Sequence, residues 1–479
     1  MKKNLTLYSI ILIIFLIIQR GSGLFTKLIL AKSITPYEYG LITLIAISLP
    51  ALFQIAICLN FSHILSHSKE GREYFGFTIL FSLIIGLIIS IIMFFSQDFF
   101  FNYLNVPENH KLLFYSVIII SMFSMGVVVD FQSLLTGLRL YSIPGLVVAM
   151  PSVARLIFVL IFFTINRFPF EIIITFFAIS NALPLIYLFL SKKRKIYLSY
   201  IKSIKIPPRN MVAFGTALFI VGSYSTIGVA LIKIVISHNL GIVWQAYFDV
   251  SMTLVSIVIF FIGTMNFLAV PEATNSDKDS LHHKSEFGEV SRLLFSFMIF
   301  LFIVMYFYSD FIAGIFFSED YIIAADYCWI LIIGYIFLYI QNYLVNLNIS
   351  YTTNFRDYIW HIIIPLMLLP LFFYATQYMI ILFSKTGFGN GFIGAYITYT
   401  LLAITLTSCS ILYSNDLKYL NTFKYKSNKL ILSFTITFGV LFVLNPPALI
   451  GIPASFMIFI PLLFISGYLE KDIFLDIIR

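Results

Sequence analysis

Six ionisable or amide side chains stand inside long apolar runs, where their cost in lipid makes each a candidate for function: Arg20, Arg155, Lys233, Asp249, Asn342 and Asn346. Arg20 lies about 15 residues into its run and Arg155 about 12 into its own, which at about 1.5 Å per residue puts both near mid-depth. A guanidinium stays charged there, and its planar fork of donors suits diphosphate or acidic groups. The bland alternative ties each to backbone carbonyls or to Gln54, Asn60, Asp130 or Asn181. Lys233 and Asp249 flank a short loop at similar depth. They read as a structural ion pair, with ion coupling through the Asp as the second reading. Asn342 and Asn346, spaced i and i+4 beside Gln341, share a helix face and suit either sugar hydroxyls or a neighbouring helix. Lys27 reads as a snorkelling residue near the membrane surface.

Other chemistries lack their parts. The chain has no Walker Gly-Lys-Ser, no HExxH and no GxSxG, so nucleotide hydrolysis and hydrolase catalysis are not expected. Cys58, Cys328 and Cys409 are isolated in apolar runs, and His282-His283 has no third ligand at suitable spacing, so neither a metal nor a cofactor is expected.

The elements that position these residues are transmembrane helices. The 479 residues are 60% hydrophobic and only 11% charged, far from the balance of a soluble domain. Apolar runs of spanning length fall at about 5–31, 40–65, 75–96, 112–138, 143–165 and 171–190, then at about 211–236, 244–270, 291–309, 325–350, 358–382 and 391–413. Two shorter runs at about 429–445 and 448–468 bring the expected total to about 14, and residues 311–317 read as too short to span. The first run imitates a signal peptide but lacks an A-x-A site and continues to spanning length, so it reads as an uncleaved span.

The basic stretch 191–210 divides the chain. Lys192, Lys193, Arg194, Lys195, Lys202, Lys205 and Arg209 lie there with no acidic residue, and Pro207-Pro208 stops any helix before the next run. Between two spans this is a cytoplasmic loop, not a nucleic-acid site. With the N-terminus inside, inner loops hold about 22 Lys and Arg against about 4 outside, which predicts that both termini are cytoplasmic. The expected organisation is a six-helix lobe over 1–190, a linker over 191–210, a second six-helix lobe over 211–413, and an inner loop, helix pair and tail over 414–479. An Arg-x-Tyr turn recurs in the two halves, Arg139 with Tyr141 and Arg356 with Tyr358, each followed by a Pro, Pro151 or Pro365. Such an echo suits parallel repeats.

The stretch QRGSGLFTKLILAKSITPYEYGLITLIAIS, with Tyr39-Gly40, resembles the opening of the Wzx-type polysaccharide flippases of the MOP superfamily. LLTGLRLY and LGIVWQAYFDV are similar to the same family. The resemblance implies an all-helical bundle protein that carries a polyprenyl-diphosphate-linked oligosaccharide, an O-antigen or capsule repeat unit, across the bacterial cytoplasmic membrane by alternating access. It brings coupling to protons or sodium and contact with a polysaccharide polymerase as further expectations. Three rivals stand beside it. A multidrug exporter of the same superfamily is expected to have twelve spans and an acidic residue in the first, but this chain has no Asp or Glu before Ser33. An integral-membrane polymerase is expected to carry a large outer loop. A lipid II flippase is expected to have a first span richer in charge.

Overall fold

The computed structural model describes the chain except residues 1, 58–72, 139–141, 166, 192–193, 203, 257–285, 352–354, 387–390, 414–420 and 470–479. The described residues are helical, without a strand. Twelve of their helical segments are long and apolar enough to cross a membrane. The Arg139–Tyr141 turn and the His282-His283 loop lie outside the described residues. The chain packs as two units, Met1–Asp249 and Val250–Arg479.

In the first unit α1 (Lys2–Ser33) is followed by α2 (Pro36–Ile42), a π-helical turn (Thr43–Ser48) and α3 (Leu49–Ile57). Then come α4 (Phe75–Phe95), α5 (Gln97–Tyr103), α6 (Lys111–Gly137), α7 (Ser142–Ile165), α8 (Phe170–Leu190), α9 (Arg194–Ile201), α10 (Arg209–Asn239) and the start of α11 (Ile242–Leu254). The second apolar run enters its helix at Pro36 and not at residue 40. Thr35 accepts from the Glu38 backbone N–H, Glu38 accepts from that of Thr35, and Pro36 occupies the first turn, a capping box that costs the proline no hydrogen bond.

Small residues let these helices approach. α4 buries Thr78, Ser82, Gly86 and Ser90, spaced four apart on one face, and packs on α6 with Phe123 over Gly86. Lipid tails are as apolar as leucine, so such close packing, not a hydrophobic drive, holds spans together. α1 lies along α7, where Gly145 meets the Phe15 ring. The end of α10 is fastened by Asn105, left-handed at φ 56°, whose amide donates to the Ser237 carbonyl at 2.8 Å. The Tyr103 and His238 rings stack beside it at 3.9 Å.

The second unit contains the end of α11, then α12 (Glu286–Phe316), α13 (Cys328–Tyr351), α14 (Phe355–Thr386), α15 (Phe392–Tyr413), α16 (Asn421–Lys424), α17 (Ser427–Leu444) and α18 (Ala448–Ile465). Residues 311–317, read from sequence as a separate short stretch, instead extend α12 to Phe316, because Asp310 is exposed on the helix surface and does not interrupt its hydrogen bonds. α13 and α15 are stitched by Thr400 Oγ1 donating to the Ile330 carbonyl and Thr407 Oγ1 to that of Phe337, each at 2.8 Å. α17 and α18 pack on each other and on α12 through Phe300, Ile303, Phe459 and Leu463.

Candidate functional site

The densest polar cluster within the first unit forms around Asp249. This carboxylate, 1% exposed, accepts from Lys27 Nζ and from the Tyr39 hydroxyl, each at 2.8 Å on Oδ2. Lys233 Nζ bonds the other oxygen and also donates to Ser48 Oγ at 2.9 Å. Five elements converge: α1, α2, the π-turn, α10 and α11. The π-turn matters because its wider ring re-aims side chains. It turns Ser48 to Lys233, and its Thr43 receives the Gln245 amide of α11 at 3.2 Å.

Lys233 and Asp249 thus pair as their spacing suggested. Lys27 does not merely snorkel. It reaches the same carboxylate, its side chain still 24% exposed, because Asp249 lies within its span and a direct ion pair relieves the charge that lipid would penalise. Among the described residues two lysines share this one carboxylate, and Lys27 is the accessible edge of the cluster. Sequence reasoning missed Lys27, Tyr39 and Ser48 as partners. The available signal was the Tyr39-Gly40 pair itself: Gly40 brings α2 against the Ile242 backbone, and that approach carries the Tyr39 hydroxyl to Asp249.

The two arginines lie in different surroundings. Arg155 is turned onto α8, where Nε donates to Ser180 Oγ at 2.8 Å and one Nη donates to the Phe177 carbonyl at 3.2 Å and to Asn181 Oδ1. Its guanidinium also lies over the Phe177 ring at 4.9 Å. These bonds follow the bland alternative in part, with Asn181 and not Asp130 as the partner. Arg20 is exposed on α1.

In the second unit Asn342 is buried and its amide donates to the Leu338 carbonyl of its own helix at 2.8 Å. The side chain of Asn346 lies outside the described residues. Asp130, weighed from sequence only as a partner for an arginine, is wholly buried on α6 and accepts from Ser82 Oγ at 2.7 Å. No group of acidic, His and Cys residues with metal-binding proximity occurs among the described residues.

No family model and no curated protein matches this sequence. Solved structures do match. A lipid II flippase, MurJ, in an inward closed conformation superposes with a TM-score of 0.65 over 98% of this chain and 100% of that one, at 16% identity. An inward-facing multidrug resistance MATE transporter of the MOP superfamily gives 0.56 over 85% and 96%, at 12% identity. A MOP-superfamily transporter from Pyrococcus furiosus, described as having a binding pocket of reversed polarity, gives 0.51 over 84% and 94%, at 14% identity. The chain has the fold of the MOP-superfamily transporters and flippases, and it is a multi-pass membrane protein. At these identities the likeness concerns the fold.

Proposed function

We propose that the protein is a flippase that carries an undecaprenyl-diphosphate-linked oligosaccharide, an O-antigen or capsule repeat unit, across the bacterial cytoplasmic membrane. The observation that carries this reading is the extent of the match. The lipid II flippase covers 98% of the chain, whereas MATE structures cover 85–88%. A flippase of the longer kind accounts for the chain from end to end, with the helix pair α17 and α18 as part of the working unit.

The site chemistry agrees with an anionic cargo. The Asp249 cluster gathers two lysines, with Lys27 at its edge, and Arg20 is exposed on the same helix. In this reading Arg20 and the remaining donor capacity of Arg155 meet the diphosphate, while Asn342 and Asn346 serve the sugars. The lobes 1–190 and 211–413 alternate access, with 191–210, both termini and the tail on the cytoplasmic side. About 14 spans satisfy that orientation. Coupling to protons or sodium and contact with a polysaccharide polymerase belong to the same proposal.

The test is deletion in the source strain. Loss of surface polysaccharide with accumulation of the lipid-linked repeat unit, and unchanged drug susceptibility, is the expected result. Unchanged polysaccharide with gained drug sensitivity assigns the protein to the exporters.

A further inference from the structure

The Asp249 carboxylate is saturated with donors, but that of Asp130 is not. Asp130 is wholly buried in the membrane-spanning part of α6. Ser82 Oγ of α4 is bonded to Oδ2 at 2.7 Å, while Oδ1 is shielded and has no hydrogen-bond partner among the described residues. No ion pair involves it among the described residues.

Among the described residues, the elements packed against α6 supply no compensating charge. α9, which meets α6 through Tyr197 against Phe131, carries Arg194 and Lys195, but both are exposed and Arg194 donates to the Phe189 carbonyl. α4, α3 and the π-turn carry no charged residue. α7 offers only Arg155, whose bonds go to Ser180, Phe177 and Asn181 of α8. α8 carries only Glu171, exposed in its first turn, and α5 only Asp98, exposed and paired with Lys111. His110 and Glu108 sit before the first turn of α6, about 30 Å along the helix from Asp130. A carboxylate left so deep without a cation or a second donor is a costly state. A sodium ion does not solve this, since hard cations need several oxygens and only Asp130 and Ser82 are seen to converge. A proton does, because it removes the charge and leaves Oδ2 as a neutral acceptor for Ser82.

We propose that Asp130 and Ser82 form a proton-binding site between α4 and α6, loaded in the conformation described here and discharged when the two helices part and water reaches Oδ1. The step is a simple proton release from the carboxylic acid to water, with no other bond broken. The site is distinct from the Lys233–Asp249 pair to which the sequence pointed. Its role in transport, tying the α4–α6 contact to a proton gradient, rests on the transporter reading, but proton binding itself does not.

The experiment is infrared difference spectroscopy of the full chain in lipid nanodiscs between mildly acidic and mildly alkaline buffer. A protonated-carboxyl carbonyl band, shifted by deuterium exchange, is expected in the wild type. It should vanish in Asp130→Asn and move to higher frequency in Ser82→Ala, which keeps the acid but removes its hydrogen bond. Hydrogen exchange of α4 and α6 peptides, corrected for intrinsic rates, should rise with pH in the wild type and stay low in Asp130→Asn. A carboxyl band that survives Asp130→Asn, or is untouched by Ser82→Ala, overturns the site. Because neither readout uses a cargo, a drug-exporter phenotype on deletion would refute the flippase reading and leave this site standing.

Discussion

Asp249 holds two lysines, so losing the acid leaves Lys233 buried without its counter-ion, whereas losing either base still leaves a matched pair. Asp249→Asn should therefore destabilise the protein by about 3–5 kcal/mol, the range for breaking a buried pair, and Lys27→Met by less, since Lys27 is partly solvated. Thermal unfolding in detergent measures both. The exchange Lys233→Asp with Asp249→Lys, the natural test of an isolated pair, should fail to restore stability, because the new lysine sits against Lys27. Adding Lys27→Met should recover part of it. The pair was legible in the sequence from depth and spacing alone. The third partner was not, because a helix reading gives depth but not rotation about the axis, and reaching Asp249 depends on rotation.

A second residue-scale prediction concerns Asp326, between α12 and α13. Desolvation and, after it, the Asp310 carboxylate hold its proton more tightly than in the unfolded chain. A carboxyl raised in the folded state favours folding below its ordinary range, and stability falls as pH rises through that range to the folded value. Asp326→Asn should flatten this part of the pH–stability curve and leave the protein slightly more stable at neutral pH.

At the scale of elements, the approach of α2 to α11 depends on Gly40. A Cβ there meets the Ile242 carbonyl and side chain, and neither helix backbone can yield without moving Tyr39 away from Asp249. Gly40→Val should cost about 1–3 kcal/mol or more by overpacking, lowering the unfolding temperature in parallel with Asp249→Asn. A Gly40→Val protein as stable as the wild type would contradict this account of the cluster. The Tyr39-Gly40 pair was visible in the sequence as a family-like motif, but its mechanical role was not. The π-turn at Thr43–Ser48 left no sequence signal either, because its residues are ordinary helix-compatible types and tertiary partners select the wider turn. The helix start at Pro36 was readable from Thr35 and Glu38, and only the emphasis on apolar content hid it.

For the whole molecule, composition and the lengths of the apolar runs were enough to read an all-helical, multi-pass membrane protein, since the bilayer leaves few architectures open. Asp310 shows where that reading slipped: one exposed acid does not end a helix. Orientation rests on the loops. Reporter fusions in 191–210 and at both termini should score as cytoplasmic, and fusions in 97–110 as external. The stretch 191–210 is held to the bundle by Tyr197, buried against Phe131, and by an exposed pair, Lys205 with Glu73 at the entry to α4. The Glu73 carboxylate raises the Lys205 pKa by hydrogen bond and charge, so the contact persists at neutral pH and its small contribution is lost as pH rises past the lysine range.

The central claim is that the cationic first unit handles a lipid-linked diphosphate. Its most direct test is a leaflet-resolved assay in proteoliposomes loaded with the lipid-linked oligosaccharide extracted from the deletion strain. Inner-leaflet oligosaccharide, protected from an added glycosidase, should become accessible with the wild-type protein, remain protected with Arg20→Ala, and be partly released with Arg20→Lys, which keeps the charge but not the planar fork. Equal protection with and without the wild-type protein, or full release by Arg20→Ala, would contradict it.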